Sequence, residues 1–237
     1  MSDFKARFEK ILGECMMGEY SHLAPSFEKL AEMLVSTNEK YNLTAITDTD
    51  GIILRHFADS LTAEKYIPKN SKVIDVGTGG GFPSLVLAIA RPDVQITALD
   101  STAKKLEFIK EAAKELSLTN ITTLAARAED IGNSALRESF DVSVSRAVAR
   151  LSILSELCIP LTKAGGLFIA MKGADAKAEL SEGLTGIKML GASVESTNFF
   201  ELSSAGERCI IVCKKENRTD KKYPRAYAKI KKSPLGI

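Results

Sequence analysis

A run of glycines directly after a short apolar segment constrains the fold of this chain more than any other sequence feature. Residues 73–76 read Val-Ile-Asp-Val, and glycines follow at positions 77, 79, 80 and 81, ahead of Phe82 and Pro83. Glycine adopts positive φ angles without steric cost and lets a ligand approach the backbone closely. Proline suits the first position of a helix. The pattern predicts a buried strand that turns, through a ligand-binding glycine loop, into a helix.

The chain beyond residue 70 continues to alternate between short apolar segments and amphipathic ones, which is typical of parallel strands joined by helices. Further strands are predicted at 94–100, 121–127, 140–147 and 165–173. Helices are predicted at 83–91, 101–118, 149–161 and 175–190. Two further segments, 193–202 and 207–215, flank a turn at Gly206 and predict an antiparallel pair at the end of the sheet. We therefore predict an α/β fold with a doubly wound, mostly parallel sheet covered by helices on both faces.

Residues 1–70 have a different pattern, with apolar residues at three- and four-residue steps, and are predicted to form a helical extension. Phe4 and Phe8 mark the first helix, and a second begins at Pro25. A third amphipathic stretch spans 51–66, after a helix N-cap supplied by residues 48–50. The sequence thus divides into an N-terminal extension at 1–70 and an α/β domain at 71–237.

The formal net charge of +2 hides an uneven distribution of charge along the chain. Residues 214–232 contain nine Lys/Arg and two Asp/Glu, so this segment carries +7. The rest of the chain, with 23 basic and 28 acidic residues, carries −5. A basic C-terminal segment suits contact with phosphates, and it equally suits a solvated tail that keeps a protein soluble. The charge alone leaves both interpretations open.

The composition predicts neither a metal centre nor a membrane protein. The four cysteines form no Cys-x-x-Cys pair and the chain has two histidines, so we expect reduced core thiols and no metal site. No run of about 18 apolar residues predicts a transmembrane helix. The charged N-terminus lacks the features of a secretory signal, and we expect a cytoplasmic protein.

The spacing of the glycines distinguishes between two nucleotide cofactors. A dinucleotide fingerprint that starts at Gly77 needs its third glycine at position 82, where this chain has Phe82. Gly77, Gly79 and Gly81 follow Asp75 and instead resemble the acid-x-Gly-x-Gly pattern of class I methyltransferases. This resemblance implies S-adenosylmethionine as the cofactor. Asp75 then either accommodates the amino-acid end of that cofactor or orders the loop by hydrogen bonding.

Candidate ligand-binding residues lie at or just after the carboxyl ends of three predicted strands, which is where ligands bind in such sheets. Asp100 ends the second strand and is suited to accept hydrogen bonds from ribose hydroxyls, or to stabilise the start of the next helix. Ala128 and Glu129 follow the third strand, where they either meet an adenine edge or form a surface turn. Arg146 interrupts the apolar strand 140–147 near its carboxyl end, as a ligand contact or as part of a structural ion pair.

His56 and Asp59 lie three residues apart on the third predicted helix, so they share one face of it. The spacing fits a histidine that is satisfied by its local carboxylate. The RHFADSL motif that contains both residues resembles a family motif, and this resemblance offers contact with RNA or with the rim of an active site as the alternative.

Several segments between positions 42 and 235 together resemble one family, the bacterial ribosomal RNA small-subunit methyltransferase G family, also called glucose-inhibited division protein B. The matching segments are NLTAI at 42–46, RHFADSL at 55–61, DVGTGGGFP at 75–83, LDS at 99–101 with Lys104 and Lys105, ARAE at 126–129, FD at 140–141 with SRA at 145–147, KG at 172–173, and YPR at 223–225 with PL at 234–235. The chain departs from the usual pattern at Ser84, where relatives usually have Gly, and at Ala228 and Ile230, which occupy Gly and Pro places.

The resemblance implies the class I methyltransferase fold, S-adenosylmethionine as cofactor, and methyl transfer to N7 of a guanine in 16S ribosomal RNA. The partner is then that RNA, the small ribosomal subunit or an assembly intermediate of it. Methylation of another RNA or of a small molecule is the alternative. Cofactor contacts carry over to Gly77, Phe82, Ala128, Glu129 and Arg146. Guanine N7 has a free lone pair and no proton, so no catalytic acid or base is predicted.

Overall fold

The structure, a computed structural model, describes residues 3–237. Met1 and Ser2, at the start of the predicted extension, lie outside the described residues. The N-terminal elements are α1 (Asp3–Glu14), a 3₁₀ turn (Gly18–Leu23), α2 (Ala24–Tyr41), α3 (Thr49–Gly51), a π-helical segment (Ile52–Ala58), α4 (Asp59–Leu61) and a second 3₁₀ turn (Glu64–Tyr66). None of the helices in residues 3–237 has the length and apolar character needed to cross a membrane.

The sheet within residues 3–237 has seven strands. They are β1 (Lys72–Val76), β2 (Gln95–Asp100), β3 (Ile121–Ala125), β4 (Phe140–Arg146), β5 (Thr162–Lys172), β6 (Ala192–Glu201) and β7 (Glu207–Lys215). Their order in the sheet is β3-β2-β1-β4-β5-β7-β6, and β7 runs antiparallel to both of its neighbours. The predicted antiparallel pair at the end of a mostly parallel sheet is confirmed.

Helices cover both faces of this sheet, as the sequence predicts. They are α5 (Ser84–Ala90), α6 (Ala103–Glu115), α7 (Ala128–Ile131), α8 (Leu151–Cys158), α9 (Ala176–Met189) and α10 (Tyr227–Lys232), with 3₁₀ turns at Ile159–Leu161 and Ser203–Ala205. One hydrophobic cluster joins α5 and α6 to the N-terminal helices, and another joins α8, α9 and α10 to the opposite face. The doubly wound α/β fold is confirmed.

A row of buried aromatic rings links the N-terminal helices to the glycine loop, residues 77–81. Successive ring centroids are 5.2 Å apart for Phe8 and Phe27, 4.8 Å for Phe27 and Phe57, and 6.2 Å for Phe57 and Phe82. Aromatic pairs contribute about 0.5–1.5 kcal/mol each beyond the area that they bury. The N-terminal helices therefore share a core with the α/β region and are held against Phe82, directly after the loop.

The third N-terminal helix departs from the predicted geometry. The sequence predicts an ordinary helix over 51–66, whereas Ile52–Ala58 is π-helical. The predicted N-cap is present, because Asp48 Oδ1 accepts a hydrogen bond from the Gly51 N–H at 2.7 Å. Apolar periodicity over so short a stretch does not distinguish a π-helical turn from an α-helical one. π-Helical turns occur frequently at functional sites, and this one carries Arg55 and His56.

The C-terminal segment folds back onto the α/β region. Ala228 and Ile230, which stand in the Gly and Pro places of the resembled family, lie in α10, and Ile230 is fully buried. Just before this helix, Arg225 makes a bidentate ion pair with Glu156 of α8, with Nη2–Oε2 and Nε–Oε1 distances of 2.6 and 2.9 Å. Glu156 is fully buried, so this pair fixes the segment to the opposite helix.

The glycine loop requires positive φ at three positions, with values of +74° at Gly77, +58° at Gly79 and +91° at Gly81. At Gly81 a Cβ atom would lie 2.6 Å from Leu85 Cδ1 and 3.1 Å from Ile109 Cγ1. This glycine therefore lets the loop pack closely on α5 and α6.

Gly81→Ala should destabilise the protein for two reasons, its positive φ and its close contact with Leu85. Gly165→Ala is the matched control, because Gly165 has φ +83° but no atom within 4 Å of the added Cβ. We expect about 1–3 kcal/mol of destabilisation from the backbone conformation in both variants and about 1–3 kcal/mol more in Gly81→Ala. Denaturant unfolding measures both free energies, and equal losses would contradict the packing role of Gly81.

Candidate functional site

A cleft of about 450 Å³ opens at the carboxyl ends of β1, β2 and β4, where the sequence predicts a ligand site. Of the predicted cofactor residues, those that line this first cleft are Gly77, Gly79, Phe82, Asp100, Ala128, Glu129 and Arg146. Gly81 is not among the lining residues, because it faces Leu85 and Ile109. The structure thus brings together predicted residues from four separate chain segments and gives Gly81 a packing role.

Asp100 is held at the centre of the first cleft by two backbone donors. Its Oδ2 accepts a hydrogen bond from the Gly79 N–H at 3.0 Å, and its Oδ1 accepts one from the Thr102 N–H at 2.8 Å. Each carboxylate oxygen keeps a further lone pair, so the group can still accept hydrogen bonds from two ribose hydroxyls. The contact with Thr102, which precedes α6, also serves the helix start. Both sequence interpretations of Asp100 are compatible with this geometry.

Asp75 lies beneath the glycine loop and does not line the first cleft. It is fully buried, and its Oδ2 accepts hydrogen bonds from the Ser84 Oγ–H at 2.7 Å and the Ser84 N–H at 3.2 Å. Its Oδ1 has no partner among the described residues. Burial raises the pKa of Asp75 to about 6, against the opposing effect of hydrogen bonds from Ser84 and Thr78. This geometry favours the loop-ordering role, and Ser84 is an integral part of it.

One end of the first cleft is apolar. Leu99 directly precedes Asp100 in β2, Ala128 begins α7, and Leu157 comes from α8. Tyr227 of α10 also lines this end. Neither Leu157 nor Tyr227 is predicted as a residue of this cleft from the sequence, because both lie in chain segments distant from the glycine loop. The burial of α8 and the course of the C-terminal segment bring them there.

The other end of the first cleft is built around the side chain of His56. Its ring stacks on Phe82 with centroids 4.4 Å apart and an interplanar angle of 7°. The His56 Nδ1 lies 3.4 Å from Arg146 Nη2, and its Nε2 lies 2.8 Å from Thr44 Oγ1. A guanidinium only donates, so Nδ1 accepts and Nε2–H donates to Thr44. Burial, reinforced by the Arg146 charge and opposed by Asp59, lowers the pKa of His56 to about 4. The ring is therefore neutral at physiological pH.

The carboxylate of Asp59 joins two arginines that lie far apart in the sequence. Its Oδ2 accepts from Arg146 Nη1 at 2.8 Å, and its Oδ1 accepts from Arg208 Nε at 2.8 Å. Arg146 Nη1 also donates to the Arg55 carbonyl oxygen at 2.9 Å. The structural ion pair considered for Arg146 is thus present, and the same guanidinium still lines the cleft. Arg146 contacts both His56 and Asp59 and so connects the two side chains. His56 also lines the first cleft.

A second cleft of about 520 Å³ adjoins the first. The two clefts share His56, Arg146, Ala147 and Val148, which we call the shared wall. Ala147 adopts φ +55°, an uncommon conformation for alanine and one that often marks a functional site. Beyond the shared wall, the second cleft is lined by charged side chains from β5, α9 and β7, namely Lys172, Glu179 and Arg208.

The charged groups of the second cleft are partly paired with one another. Lys172 Nζ lies 2.8 Å from Glu179 Oε2 and donates to the Ala149 carbonyl oxygen at 2.6 Å. The same Glu179 oxygen accepts from the Leu151 N–H at 2.7 Å. Lys172 and Glu179 are therefore fixed in place, as rigid donors and acceptors facing a space next to Arg146.

The chain is similar to known proteins in sequence and in fold. The GidB family model, described as rRNA small subunit methyltransferase G, matches residues 24–210. Ribosomal RNA small subunit methyltransferase G of Staphylococcus carnosus is 47% identical over 214 residues, which cover 88% of this chain and 89% of that relative. The protein of the same name from Bacillus cytotoxicus is 42% identical over 233 residues, which cover 97% and 98% of the two chains.

Among solved structures, a 16S rRNA (adenine(1408)-N(1))-methyltransferase from Catenulisporales acidiphilia has a TM-score of 0.53 at 14% identity. The match covers 68% of this chain and 92% of that chain. At this level of identity the likeness concerns the fold alone.

The histidine environment predicts a pH behaviour that NMR can measure. The His56 ring should stay neutral and keep a constant Cε1–H chemical shift from pH 8 down to about 5.5, because burial and Arg146 disfavour its charged form. His56→Gln identifies its signal, since His22 is the other histidine of the chain. A titration midpoint near 6.5 for His56 would contradict the described environment.

The position of Asp100 predicts a loss of nucleoside affinity on mutation. Asp100→Ala removes the acceptor that we predict for two ribose hydroxyls and releases the Gly79 N–H, so the Kd for S-adenosylhomocysteine should rise by roughly 10- to 150-fold. Asp130→Ala is the control, because Asp130 is an exposed acid near Glu129 that does not line the cleft. Isothermal calorimetry measures both, and an unchanged Kd for Asp100→Ala would place the ribose elsewhere.

Proposed function

This chain belongs to the rRNA small subunit methyltransferase G family, and we propose that its first cleft holds S-adenosylmethionine while its second cleft receives the target guanine. The enzyme transfers a methyl group from this cofactor to N7 of a guanine in 16S rRNA. The observation that carries the proposal is the shared wall, because ligands in the two clefts would both contact the same four residues.

The first cleft suits S-adenosylmethionine in shape and in donor chemistry. Asp100 supplies acceptors for the ribose hydroxyls, and the apolar end around Leu99, Ala128 and Leu157 suits adenine. A Cβ atom at Gly79 would meet no atom closer than the Gly77 carbonyl oxygen at 4.0 Å, so a side chain there would fill space that the cofactor needs.

The second cleft suits a guanine base. Glu179 offers a carboxylate for the N1 and N2 hydrogens of guanine, while Lys172 and Arg208 offer donors for O6 or for an adjacent phosphate. These three side chains lie on different secondary-structure elements and are anchored by their own ion pairs. A guanine held there must be unstacked from its neighbours, because side chains reach base edges in RNA mainly in single-stranded loops or extruded bases.

Transfer to N7 requires positioning more than proton chemistry. S-adenosylmethionine supplies an electrophilic methyl group on a positively charged sulfur. Since N7 carries a free lone pair and no proton, the residues of the shared wall need only align the base with the cofactor. Such alignment can contribute about 7–11 kcal/mol to the lowering of the barrier. The neutral His56 and the ion-paired Arg146 fit this role, because both are held rigidly at the contact between the clefts.

The basic C-terminal segment contributes fewer free charges than the sequence suggests. Lys215 is fully buried and paired with Glu138 at 2.7 Å, and Arg225 is paired with Glu156. The remaining exposed cations of the segment are Arg218, Lys221, Lys222, Lys229, Lys231 and Lys232. Three of these lysines belong to α10, whose first residue lines the first cleft. We propose that they hold RNA phosphates beside the clefts, on the small ribosomal subunit or an assembly intermediate in the cytoplasm.

Methyl transfer onto small ribosomal subunits tests the function. Subunits isolated from cells that lack the enzyme are incubated with the protein and labelled S-adenosylmethionine, and the modified nucleoside is identified by mass spectrometry. We expect N7-methylguanosine in 16S rRNA. A label on another base or on small molecules alone would overturn the proposal.

The lysine assignment predicts a selective loss of RNA affinity. We expect a variant with Lys221, Lys222, Lys229, Lys231 and Lys232 changed to Gln to keep its cofactor affinity and to bind RNA more weakly. The slope of log K for RNA binding against log salt concentration should become shallower by roughly 0.7–0.9 for each phosphate contact that is lost. The control variant changes five exposed lysines near the opposite, amino edge of the sheet, namely Lys65, Lys69, Lys72, Lys114 and Lys163. Equal salt slopes for both variants and the unmodified protein would support the solvated-tail interpretation.

A further inference from the structure

We propose that Tyr227, the first residue of α10, packs its aromatic ring against the adenine of the bound cofactor. The C-terminal segment would then complete the cofactor site as well as carry charge. This inference rests on the proposed function, since it requires that the first cleft hold S-adenosylmethionine. It adds a cofactor-binding residue from a part of the chain about 100 positions beyond Glu129.

The surroundings of Tyr227 are those of a nucleobase pocket. The side chain is half-buried and lines the first cleft. It packs against the hydrophobic cluster that contains Leu99, Ala128 and Leu157, and these three residues line the cleft with it. Aliphatic side chains with one aromatic ring form a continuous apolar surface of the kind that flat heterocycles occupy.

The topology of the sheet places this surface at the base end of a bound nucleoside. Asp100 ends β2, and the neighbouring strand β3, at the sheet edge, leads to Ala128. The glycine loop follows β1 and Arg146 ends β4, so both lie on the other side of β2. With the ribose at Asp100 and the reactive end at the shared wall, the base extends toward β3. Tyr227 lies at that end.

Tyr227 is held in place by contacts that need no ligand. Three residues later in α10, Ile230 is fully buried, and its N–H donates to the Ala226 carbonyl oxygen at 3.1 Å. On the other side of Tyr227, Arg225 pairs with the buried Glu156 and also donates to the Ser233 carbonyl oxygen at 3.0 Å. The backbone that carries Tyr227 is therefore fixed before the cofactor binds, and its side chain already packs against the hydrophobic cluster, so little ordering entropy opposes the contact.

Calorimetric titration with S-adenosylhomocysteine tests the contact. Tyr227→Ala should raise the Kd by roughly 5- to 150-fold, the range expected for losing one aromatic–base contact, while Tyr227→Phe should stay within about threefold. Tyr66→Ala is the matched control, because Tyr66 is another half-buried tyrosine, packed on a different cluster before β1. Thermal unfolding of the three variants identifies any general loss of stability. Equal losses of affinity in Tyr227→Ala and Tyr66→Ala would overturn the proposal.

A spectroscopic test is available because the chain contains no tryptophan. Tyr227→Trp introduces a single indole at the proposed site, and Tyr66→Trp introduces one away from it. S-adenosylhomocysteine should change the fluorescence of Tyr227→Trp with saturation near its calorimetric Kd and leave Tyr66→Trp unchanged. An unresponsive Tyr227→Trp that still binds the ligand would overturn the proposal. Failure of the unmodified protein to bind would instead overturn the proposed function, whereas unaffected binding in Tyr227→Ala beside weakened binding in Asp100→Ala would overturn only the role of Tyr227.

Discussion

The contact of one buried carboxylate with two guanidiniums holds the site together. Asp59, on an N-terminal helix, bonds Arg146 at the end of β4 and Arg208 on β7, each at 2.8 Å. Without this carboxylate, two positive charges would face each other in a poorly solvated space, and breaking such a buried pair typically costs about 3–5 kcal/mol. The N-terminal helices are thereby fixed to β4 and β7 at the end of the sheet that carries the clefts, and Arg146 is fixed between the two clefts.

This constraint explains how the helical extension contributes to the chemistry of a fold that it does not define. The aromatic row from Phe8 to Phe82 packs the helices against the glycine loop, and the ion pairs of Asp59 tie them to β4 and β7. His56 then stacks on Phe82 as a neutral ring, and Arg146 faces both clefts with its charge partly balanced. A site of this kind is suited to aligning two ligands, which is the main requirement for alkylating a nitrogen that has no proton to lose.

The sequence predicted what depends on local pattern. Apolar strands, glycine spacing and the acid at position 100 were sufficient for the sheet, the loop and the cleft, because each has a signature within a few residues. The placement of Gly81 against Leu85, the burial of Asp75 and the π-helical turn around His56 depend on packing that periodicity does not encode. Tyr227 and Leu157 reach the cleft through the course of distant segments. The charge of residues 214–232 overstated their exposed charge, because two of these cations form internal ion pairs.

In the proposed complex, the reactive end of the cofactor faces the shared wall between the two clefts. A crystal structure with bound S-adenosylhomocysteine tests it most directly. We expect the ribose hydroxyls to lie within hydrogen-bond distance of the Asp100 carboxylate, with the sulfur beside Arg146 and Val148 and exposed to the second cleft. A sulfur that points toward β3, or a ligand bound outside the first cleft, would contradict it.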